Sequence, residues 1–322
     1  MEKINYRKLG KTGLEVSKIC IGCYSFGQKQ WGVDEDESVK IIRKAIDLGI
    51  NFFDTANVYG AGKSEIILGK ALQGYRDVSV IASKVHHEVG SGPNQSGLSR
   101  LHINQQIKKS LSRLNTDYID LYQTHRWDYN TSIEETLSAL TSLVRNGKVN
   151  YIGASTMYTW QFVKSLWISD KLGLEKFVSM QNQYNLIYRE EEREMIPFCM
   201  DQGIGLITYR PFAGGLLTRE YKPGNENTSR YKHEIKWNAE RLKRDSDREI
   251  FKRLVDISKD RGVKPSQISL AWILNKGFSI PIMGVTKIGY IEDAVEALDI
   301  NLTNHEIQKL EEPYKTQSLD FE

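Results

Sequence analysis

The sequence predicts a (β/α)8 barrel, or TIM barrel, from two observations. Short β-rich runs alternate with helical segments about eight times along the chain, which is the pattern of that fold. No Pro- or Gly-rich linker divides the 322 residues, so we expect a single domain, residues 1–322, with a short N-terminal hairpin. A doubly wound sheet is the alternative, because local patterns do not show whether the sheet closes.

Runs rich in apolar and β-branched residues predict the strands. Residues 6–17 alternate around Gly10 and Gly13, which indicates the hairpin. Eight further runs predict the barrel strands, each of a length typical of a buried strand in a parallel sheet. They are residues 18–22, 50–53, 78–83, 117–124, 149–154, 177–181, 204–209 and 279–283.

Apolar residues spaced three and four positions apart predict the helices. After the first strand, Ile42, Ala45 and Ile46 follow this spacing, and Gly49 ends the helix. A second apolar stripe begins at Ser64, which we interpret as a helix cap. The predicted helices are residues 38–48, 64–72, Arg100–Leu114, 133–144, Thr159–Leu172, 190–202, 247–261, 266–274 and 290–298.

The composition is that of an ordinary globular protein, with 40% hydrophobic and 26% charged residues. The net charge is only +3 and no basic block is present, so we expect no nucleic-acid partner. We expect no membrane partner and a cytoplasmic protein, because no apolar stretch reaches membrane-spanning length and the first residues lack a signal-peptide core. Cys20, Cys23 and Cys199 are an odd and sparse set, which fits reduced thiols. The oligomeric state cannot be derived from these features.

Ionisable residues follow three consecutive predicted strands. Asp54, Lys84 and His125 end the second, third and fourth strands, and Tyr59 lies in the loop after Asp54. The carboxyl ends of barrel strands open to one mouth, so we expect these four side chains to converge there. Three such residues at equivalent positions, with a tyrosine beside them, predict an active site.

These side chains suit acid–base chemistry on a carbonyl. A free tyrosine has a pKa near ~10, and a lysine ammonium within hydrogen-bond reach lowers that pKa. Tyr59 would then be a general acid, with Lys84 held charged by Asp54 and with His125 donating to the carbonyl oxygen. The hydride that completes such a reduction has to come from a cofactor.

Two nearby patterns suggest other functions but match them poorly. Residues 57–64, NVYGAGKS, fall one glycine short of a phosphate-binding P-loop, because Asn57 stands at the first glycine position. His86 and His87 lack the spacing of a metal site, so we expect exposed loop histidines and no metal. A nucleoside triphosphatase and a metalloenzyme are therefore the less favoured interpretations.

Aromatic residues on the predicted loops mark the same mouth. Tyr24, Trp31 and Trp127 are explained equally well by packing at the rim and by an aromatic wall around a substrate. Together with His125, they are the residues that we expect around a small-molecule carbonyl substrate.

The chain resembles the aldo-keto reductase superfamily over nearly its whole length. The motifs that carry the resemblance are RKLGKTGLEVSKICIG, NFFDTANVYGAGKSE, DYIDLYQTHRWDYNTSIEETLSAL, GKVNYIGAS, VSMQNQYNLIYREEERE and PIMGVTK. The segments HRWDYN and YNLIYREEERE are similar to a microbial subgroup named as aryl-alcohol dehydrogenase-like. The resemblance implies a (β/α)8 barrel that reduces aldehydes or ketones, and a catalytic tetrad that matches Asp54, Tyr59, Lys84 and His125.

The resemblance also implies NADPH as the cofactor, bound in an extended form. Ser155 and Gln181 match residues that hold the nicotinamide carboxamide, and Tyr209 matches the aromatic residue that stacks on the ring. The loop that folds over the pyrophosphate matches Arg210, Pro211, Phe212, Gly214 and Leu216. The segment around the 2′-phosphate matches Gly284, Thr286 and Lys287. Further cofactor contacts are expected from Gly22, Cys23, Tyr24, Asp54, Arg230, Tyr290 and Asp293.

Some positions depart from the family pattern. Glu220 and Ala294 stand where relatives carry lysine and asparagine, which changes the expected contacts to pyrophosphate and adenine. The long segment 210–245 could close over the cofactor or contribute to specificity. A non-catalytic barrel that binds NADPH, as a redox sensor or a regulatory subunit, is the alternative function.

Overall fold

Eight parallel strands close into a barrel in the computed structural model, which describes Ile4 and residues 6–29, 31–220, 241 and 243–319. The barrel strands are numbered after the two hairpin strands, and their order around the barrel is β10-β3-β4-β5-β6-β7-β8-β9. They are β3 (Cys20–Gly22), β4 (Phe52–Asp54), β5 (Val80–Val85), β6 (Ile119–Thr124), β7 (Val149–Ser155), β8 (Ser179–Gln183), β9 (Gly205–Tyr209) and β10 (Ser279–Gly284). The predicted (β/α)8 class is confirmed, and closure excludes the doubly wound sheet.

Helices follow the barrel strands and cover the outside of the barrel. They are α1 (Glu35–Asp47), α2 (Lys63–Ala71), α3 (Arg100–Leu114), α4 (Ile133–Arg145), α5 (Thr159–Leu172), α6 (Met195–Gln202), α7 (Asp245–Arg261), α8 (Pro265–Asn275), α9 (Gly289–Glu296) and α10 (Asn304–Glu311). Within the described ranges, none of them combines the length and the apolar character needed to cross a lipid bilayer.

Two predicted helices are wrong in their limits. Residues 190–202 form a 3-10 turn, Glu190–Glu192, and then α6, instead of one helix. Pro197 explains the late start, because a proline lacks the N–H for an interior bond and fits only in the first turn of a helix. The last predicted helix stops at Glu296, and the 3-10 turn Ala297–Asp299 follows it.

Side chains alternate between the barrel interior and the helix layer, because successive strand residues point to opposite faces. In β5, Ala82 packs in the interior cluster, and Lys84, two residues later, lies on the same face of the strand. In β6, Leu121 packs in the interior, and Gln123 follows at the same parity. The interior therefore has an apolar lower layer and a polar layer near the carboxyl ends of the strands.

The predicted N-terminal hairpin is present, and it closes the end of the barrel opposite the carboxyl ends of the strands. Its strands, β1 (Tyr6–Lys8) and β2 (Glu15–Ser17), pair antiparallel. Leu9 and Val16 are fully buried in the interior cluster. Gly10 has a φ of 59°, and a Cβ there would lie 2.5 Å from the carbonyl oxygen of Gly203, so only glycine fits this approach.

The three cysteines are buried free thiols. Cys20, Cys23 and Cys199 each expose 0% of their surface. Burial raises the pKa of Cys199 to about 12 and raises the thiol pKa values of Cys20 and Cys23 as well. All three are therefore protonated at neutral pH.

Candidate active site

The strand register brings the predicted polar residues to one level at the mouth. Asp54 pairs with Gly22 of the preceding strand, and Lys84 pairs with Gln123 of the following one. Asp54 and Lys84 are both buried, with 3% and 0% of their surfaces exposed. Burying an unpaired charge costs free energy, so Asp54 and Lys84 have to pair with each other here.

All three hydrogens of the Lys84 ammonium have acceptors. Lys84 donates to the Asp54 carboxylate, to the carbonyl oxygen of Thr55 at 3.0 Å and to the Tyr59 hydroxyl at 3.4 Å. Each of its three N–H donors therefore has a hydrogen-bond acceptor in the protein, without water. The ammonium is fixed in place, and it points at the phenol oxygen.

The pKa of Tyr59 is raised, whereas we expected from the sequence that Lys84 would lower it. Burial raises the pKa of Tyr59 to about 12, against the opposing effect of the Lys84 ammonium. Burial also lowers the pKa of Lys84, but Asp54 and Tyr59 outweigh it, and the net value rises to about 12. At neutral pH the phenol therefore holds its proton, and the lysine is charged.

A strained turn places Tyr59 over the lysine. The 3-10 turn Tyr59–Gly62 contains Gly60, Ala61 and Gly62 with φ values of 57°, 56° and 91°. A left-handed alanine costs about 1–3 kcal/mol, a type of strain that clusters at functional sites. Ser64 is not a helix cap, contrary to expectation: its hydroxyl donates to the Cys23 carbonyl oxygen at 2.8 Å and bonds the Thr55 hydroxyl.

His125 completes the cluster from the end of β6. Its Nε2 lies 3.5 Å from the Tyr59 hydroxyl oxygen, and its Nδ1 is buried without a partner among the described residues. Burial, together with Lys84 and nearby positive groups, lowers the pKa of His125 well below its usual range. The imidazole is neutral, and its proton is better placed on Nε2, because an unpartnered N–H costs more than an unpartnered lone pair.

Two glutamines hold the second oxygen of the Asp54 carboxylate. Gln123 donates to Oδ2 at 3.1 Å, and Gln181 donates to the same oxygen at 2.8 Å. Gln181 was expected to hold a nicotinamide carboxamide, yet its amide also donates to Gln123 at 3.1 Å. The Gln181 amide nitrogen thus donates to Asp54 of the tetrad and to Gln123 beside it.

A polar shelf lies beside the tetrad on β7, β8 and β9. The Ser155 hydroxyl donates to the Gln181 carbonyl oxygen at 2.8 Å, and the Thr156 hydroxyl lies 3.5 Å from the Tyr209 hydroxyl. Thr156 has a φ of 50°, which is strained for a β-branched residue. Asn182 holds that conformation by accepting from the Thr156 N–H at 3.1 Å. This shelf is adjacent to the tetrad and presents hydroxyl and amide groups.

The loop after β9 has a strained, left-handed backbone. Arg210, Ala213, Gly214 and Gly215 have φ values of 54°, 48°, 67° and 98°, two of them at residues other than glycine. The N–H groups of Ala213, Gly215 and Leu217 donate to the carbonyl oxygens of Arg210 and Phe212, so these turns fix the shape of the loop. A Cβ on Gly215 would meet nothing within 4 Å, so one side of the loop is open. This is the loop at which the family resemblance places the pyrophosphate of the cofactor.

Within this loop, the other expected contacts differ in exposure. Pro211 and Leu216 are buried, whereas Phe212 and Gly214 are half-buried. The Pro211 carbonyl oxygen accepts from the Ser269 hydroxyl at 3.3 Å, which ties the loop to α8. Arg230 lies outside the described residues, as does most of the segment expected to close over the cofactor.

The expected adenosine contacts lie at the end of β10 and on α9. Gly284 and Thr286 are half-buried, and Lys287 and Tyr290 are exposed. The Asp293 carboxylate pairs with Lys264, so its charge is already compensated. Lys287, which the family resemblance places near a 2′-phosphate, has an exposed side chain.

Three expected contacts lie at the end of β3. Gly22 is buried, and a Cβ there would lie 2.7 Å from a methyl of Ile282. The Cys23 side chain is fully buried, so only its backbone could reach a ligand. Tyr24 is 37% exposed, and its ring lies 4.9 Å from that of Tyr59.

The predicted pocket aromatics have two different surroundings. Trp31 lies 5.0 Å from Tyr24, between ring centroids, and so extends the wall beside Tyr59. Trp127 packs against the core, with its ring 6.1 Å from that of Trp160. The first pair therefore lines the mouth, and Trp127 supports the rim.

His86 and His87 are not the exposed loop residues that we expected. Both are half-buried, and the His87 ring lies 4.3 Å from the ring of His125. In the part of the chain that the structure describes, no group of three or more His, Cys, Asp or Glu side chains could hold a metal ion.

Sequence reasoning missed four residues of the site: Gln123, Thr156, Asn182 and His87. The inward parity of Gln123, two residues before His125, is a signal that could have found it. His87, Thr156 and Asn182 carry no such signal, because their places depend on loop conformation and on contacts between strands.

Fold and site together define a (β/α)8-barrel protein with a Tyr–Lys–Asp–His cluster at its mouth. The model of the Aldo/keto reductase family matches residues 18–315. The aldo-keto reductase dtxS3 of Metarhizium robertsii is 40% identical over 98% of this chain and 93% of its own length. Versiconal hemiacetal acetate reductase of Aspergillus parasiticus is 38% identical over 98% of both chains. A Schizosaccharomyces pombe protein, named "Putative aryl-alcohol dehydrogenase C977.14c", is 41% identical over 96% of this chain and 95% of its own.

The chain belongs to the aldo/keto reductase family, and so to the oxidoreductases. The family resemblance inferred from the sequence motifs is confirmed.

Proposed function

We propose that this protein reduces an aldehyde or ketone to the alcohol with NADPH, and that Tyr59 is the general acid. The observation that carries the proposal is the position of the Tyr59 hydroxyl, 3.4 Å from the Lys84 ammonium and 3.5 Å from His125 Nε2. A carbonyl oxygen placed between the phenol and the imidazole would meet two hydrogen-bond donors. Reductases among the relatives support the same reaction class.

When bound, NADPH supplies the hydride, which carries two electrons to the carbonyl carbon. Tyr59 transfers its proton to the carbonyl oxygen, so the C=O π bond is replaced by one C–H and one O–H bond. The Lys84 ammonium stabilises the phenolate that remains, and Asp54 keeps that ammonium charged and fixed. His125 donates from Nε2 to the carbonyl oxygen and orients it.

The residues that would hold the cofactor lie on one arc of the mouth. Ser155, Thr156 and Tyr209 form the shelf for the nicotinamide, and the strained loop after β9 would hold the pyrophosphate. The exposed Lys287 supports a preference for NADPH over NADH, because its ammonium can pair with a 2′-phosphate. Glu220 is already paired with Lys259 at 3.4 Å, so the position where relatives carry a lysine adds no free negative charge to the loop.

Replacement of the phenol tests the proposal. In Tyr59→Phe, kcat for 4-nitrobenzaldehyde should fall by ~100-fold or more, because the proton donor is lost. The Kd for NADPH, measured by quenching of tryptophan fluorescence, should stay within about twofold, because the hydroxyl acts in the transition state.

Tyr75→Phe is the matched control, since Tyr75 is a partly exposed tyrosine outside the site. It should keep both constants. If Tyr59→Phe retains the kcat of the wild type, the role given to Tyr59 is wrong. If the wild type binds NADPH but turns over no aldehyde, ketone, sugar or dicarbonyl with NADPH or NADH, the protein is a cofactor-binding sensor or regulatory subunit instead.

A further inference from the structure

Six rings form a continuous row across the mouth of the barrel, which we call the ring row. Neighbouring ring centroids are 5.0, 4.9, 5.7, 4.3 and 5.3 Å apart. In order, the members are Trp31, Tyr24, Tyr59, His125, His87 and His86. Each is half-buried or exposed, so the row is accessible from the mouth.

The ring row has two chemically different arms on either side of the catalytic pair. On the Tyr59 side, Tyr24 and Trp31 present aromatic surface, which favours an aryl or other apolar group. On the His125 side, His87 presents an imidazole, which can form hydrogen bonds, and the His86 ring packs against it with Nδ1 buried. A ketone held at Tyr59 and His125 has two substituents, so one of them can lie against each arm.

The imidazole arm is held in place by the loop that carries it. The Gly97 N–H donates to the His86 carbonyl oxygen at 2.7 Å and closes the loop after β5 on itself. The Leu98 N–H donates to Asp128 Oδ2 at 2.7 Å, which joins this loop to the one after β6. His87 is therefore presented to His125 by a cross-linked loop, as a specificity residue requires.

The charge state of His87 determines which substrate group it can recognise. Burial, with His86, Arg126 and Lys84 nearby, lowers the pKa of His87 to about 4. The ring is thus neutral at physiological pH, with one nitrogen that donates and one that accepts. A neutral imidazole pairs best with a hydroxyl or carbonyl oxygen of the substrate and does not require an anion.

We propose that His87 is a specificity-determining residue that contacts a hydroxyl or second carbonyl on the carbon next to the reacting carbonyl. The site then prefers aryl ketones and aldehydes with an oxygen at the neighbouring carbon over the same compounds without it. This inference rests on the proposed reductase function and adds the chemical class of the substrate. The aromatic arm holds the aryl group, and His87 holds the neighbouring oxygen.

A matched pair of ketones tests the inference. Acetophenone and 2-hydroxyacetophenone differ by one hydroxyl, and the ratio of their kcat/KM values is measured with NADPH in the wild type and in His87→Phe. Phenylalanine keeps a ring against His125 but has no hydrogen-bonding nitrogen. The ratio should fall by ~10-fold, the value of one hydrogen bond to a neutral group, while acetophenone reduction stays within about threefold.

Two further variants separate recognition from structural support. His87→Gln restores a donor and an acceptor and should recover most of the ratio. Trp31→Leu removes part of the aromatic arm, so it should lower kcat/KM for both ketones and leave the ratio unchanged.

Three outcomes would overturn the inference. An unchanged ratio in His87→Phe excludes contact with the hydroxyl, and an equal loss for both ketones makes His87 only a support for His125. A wild type that reduces benzaldehyde but not 2-hydroxyacetophenone also contradicts it, while leaving the reductase function intact. A wild type that reduces no carbonyl removes the proposed function and this inference with it.

Discussion

At the scale of single residues, burial determines the charge states at the mouth of the barrel. Burial raises the pKa of Tyr59 to about 12, and burial with the surrounding positive groups lowers the pKa of His125 well below its usual range. Over the physiological range the phenol is protonated and the imidazole neutral. Both groups are then in the states that carbonyl reduction requires, whereas alcohol oxidation requires the phenolate.

The two directions of the reaction should therefore differ in pH dependence. We expect log kcat/KM for aldehyde reduction to be flat between pH 6 and 9, since neither Tyr59 nor His125 titrates there. Alcohol oxidation should accelerate as the pH rises through this range, because the small phenolate fraction grows tenfold per pH unit below the pKa. Initial rates in both directions, measured in one mixed buffer at constant ionic strength, check this.

An inflection of the reduction profile near pH 6.5 would contradict the neutral state given to His125. In that case, the Lys84 ammonium and the His86, His87 and Arg126 groups that face it would not suppress its protonation. A control profile in Tyr75→Phe should match the wild type.

At this scale the sequence predicts positions better than energies. Asp54, Lys84 and His125 could be placed together because each lies at the carboxyl end of a predicted strand, and those ends open to one mouth. The net pKa of Tyr59 could not be predicted, since the lysine lowers it and burial raises it, and the extent of burial depends on residues far apart in the chain. The position of His87 was missed for the same reason.

At the scale of secondary-structure elements, a buried ion pair joins two helices to the barrel. The Glu65 carboxylate on α2 accepts from Arg113 of α3 at 2.6 Å and from the Ser83 hydroxyl of β5 at 2.6 Å. The Glu65 side chain is 0% exposed, whereas that of Arg113 is 21% exposed. Removal of one partner leaves the other without compensation.

Glu65→Gln should therefore destabilise the protein through the contact between α2 and α3. We expect a loss of about 3–5 kcal/mol, at the low end because Arg113 keeps some access to water. Urea denaturation followed by circular dichroism measures it.

Lys70→Ala breaks the exposed pair between Lys70 and Glu35 and should leave the midpoint unchanged, since an exposed pair contributes little. Equal midpoint shifts for both variants would show that burial does not set the strength of these pairs.

Helices were predictable where local signals are strong. The limits of α3 and α5 agree with the prediction, and Asn115 and Gly173 in left-handed conformation end them. The helix predicted from residue 190 failed because the acidic residues there belong to a 3-10 turn. Those side chains bond to Asn182, Tyr184 and Tyr314, contacts that periodicity does not contain.

At the scale of the whole molecule, stability and chemistry lie at opposite ends of the barrel. The hairpin fills the bottom through Leu9 and Val16, and the polar cluster occupies the mouth. The fold could be predicted as eight alternating units. Closure could not, because it depends on the pairing of β10 with β3, which lie far apart in the chain.

This separation predicts that the bottom can be weakened without loss of catalysis. Leu9→Ala should lower the stability by ~2–5 kcal/mol, the usual cost of a cavity at a fully buried leucine. Thermal unfolding measures the loss, and kcat at 25 °C should equal that of the wild type. Leu14→Ala, at a half-buried leucine of the same hairpin, should cost less. A parallel fall in kcat would show that the hairpin controls the geometry of the mouth.

The burial of Cys20, Cys23 and Cys199 bears on how the protein, under the proposed function, would tolerate reactive aldehydes. Reactive aldehydes are electrophiles that alkylate cysteine through its thiolate, and the thiolate fraction falls as the thiol pKa rises. The only sulfhydryl groups of this chain are protonated and shielded from solvent. Under the proposed function, the protein would therefore resist inactivation by its own aldehyde substrates.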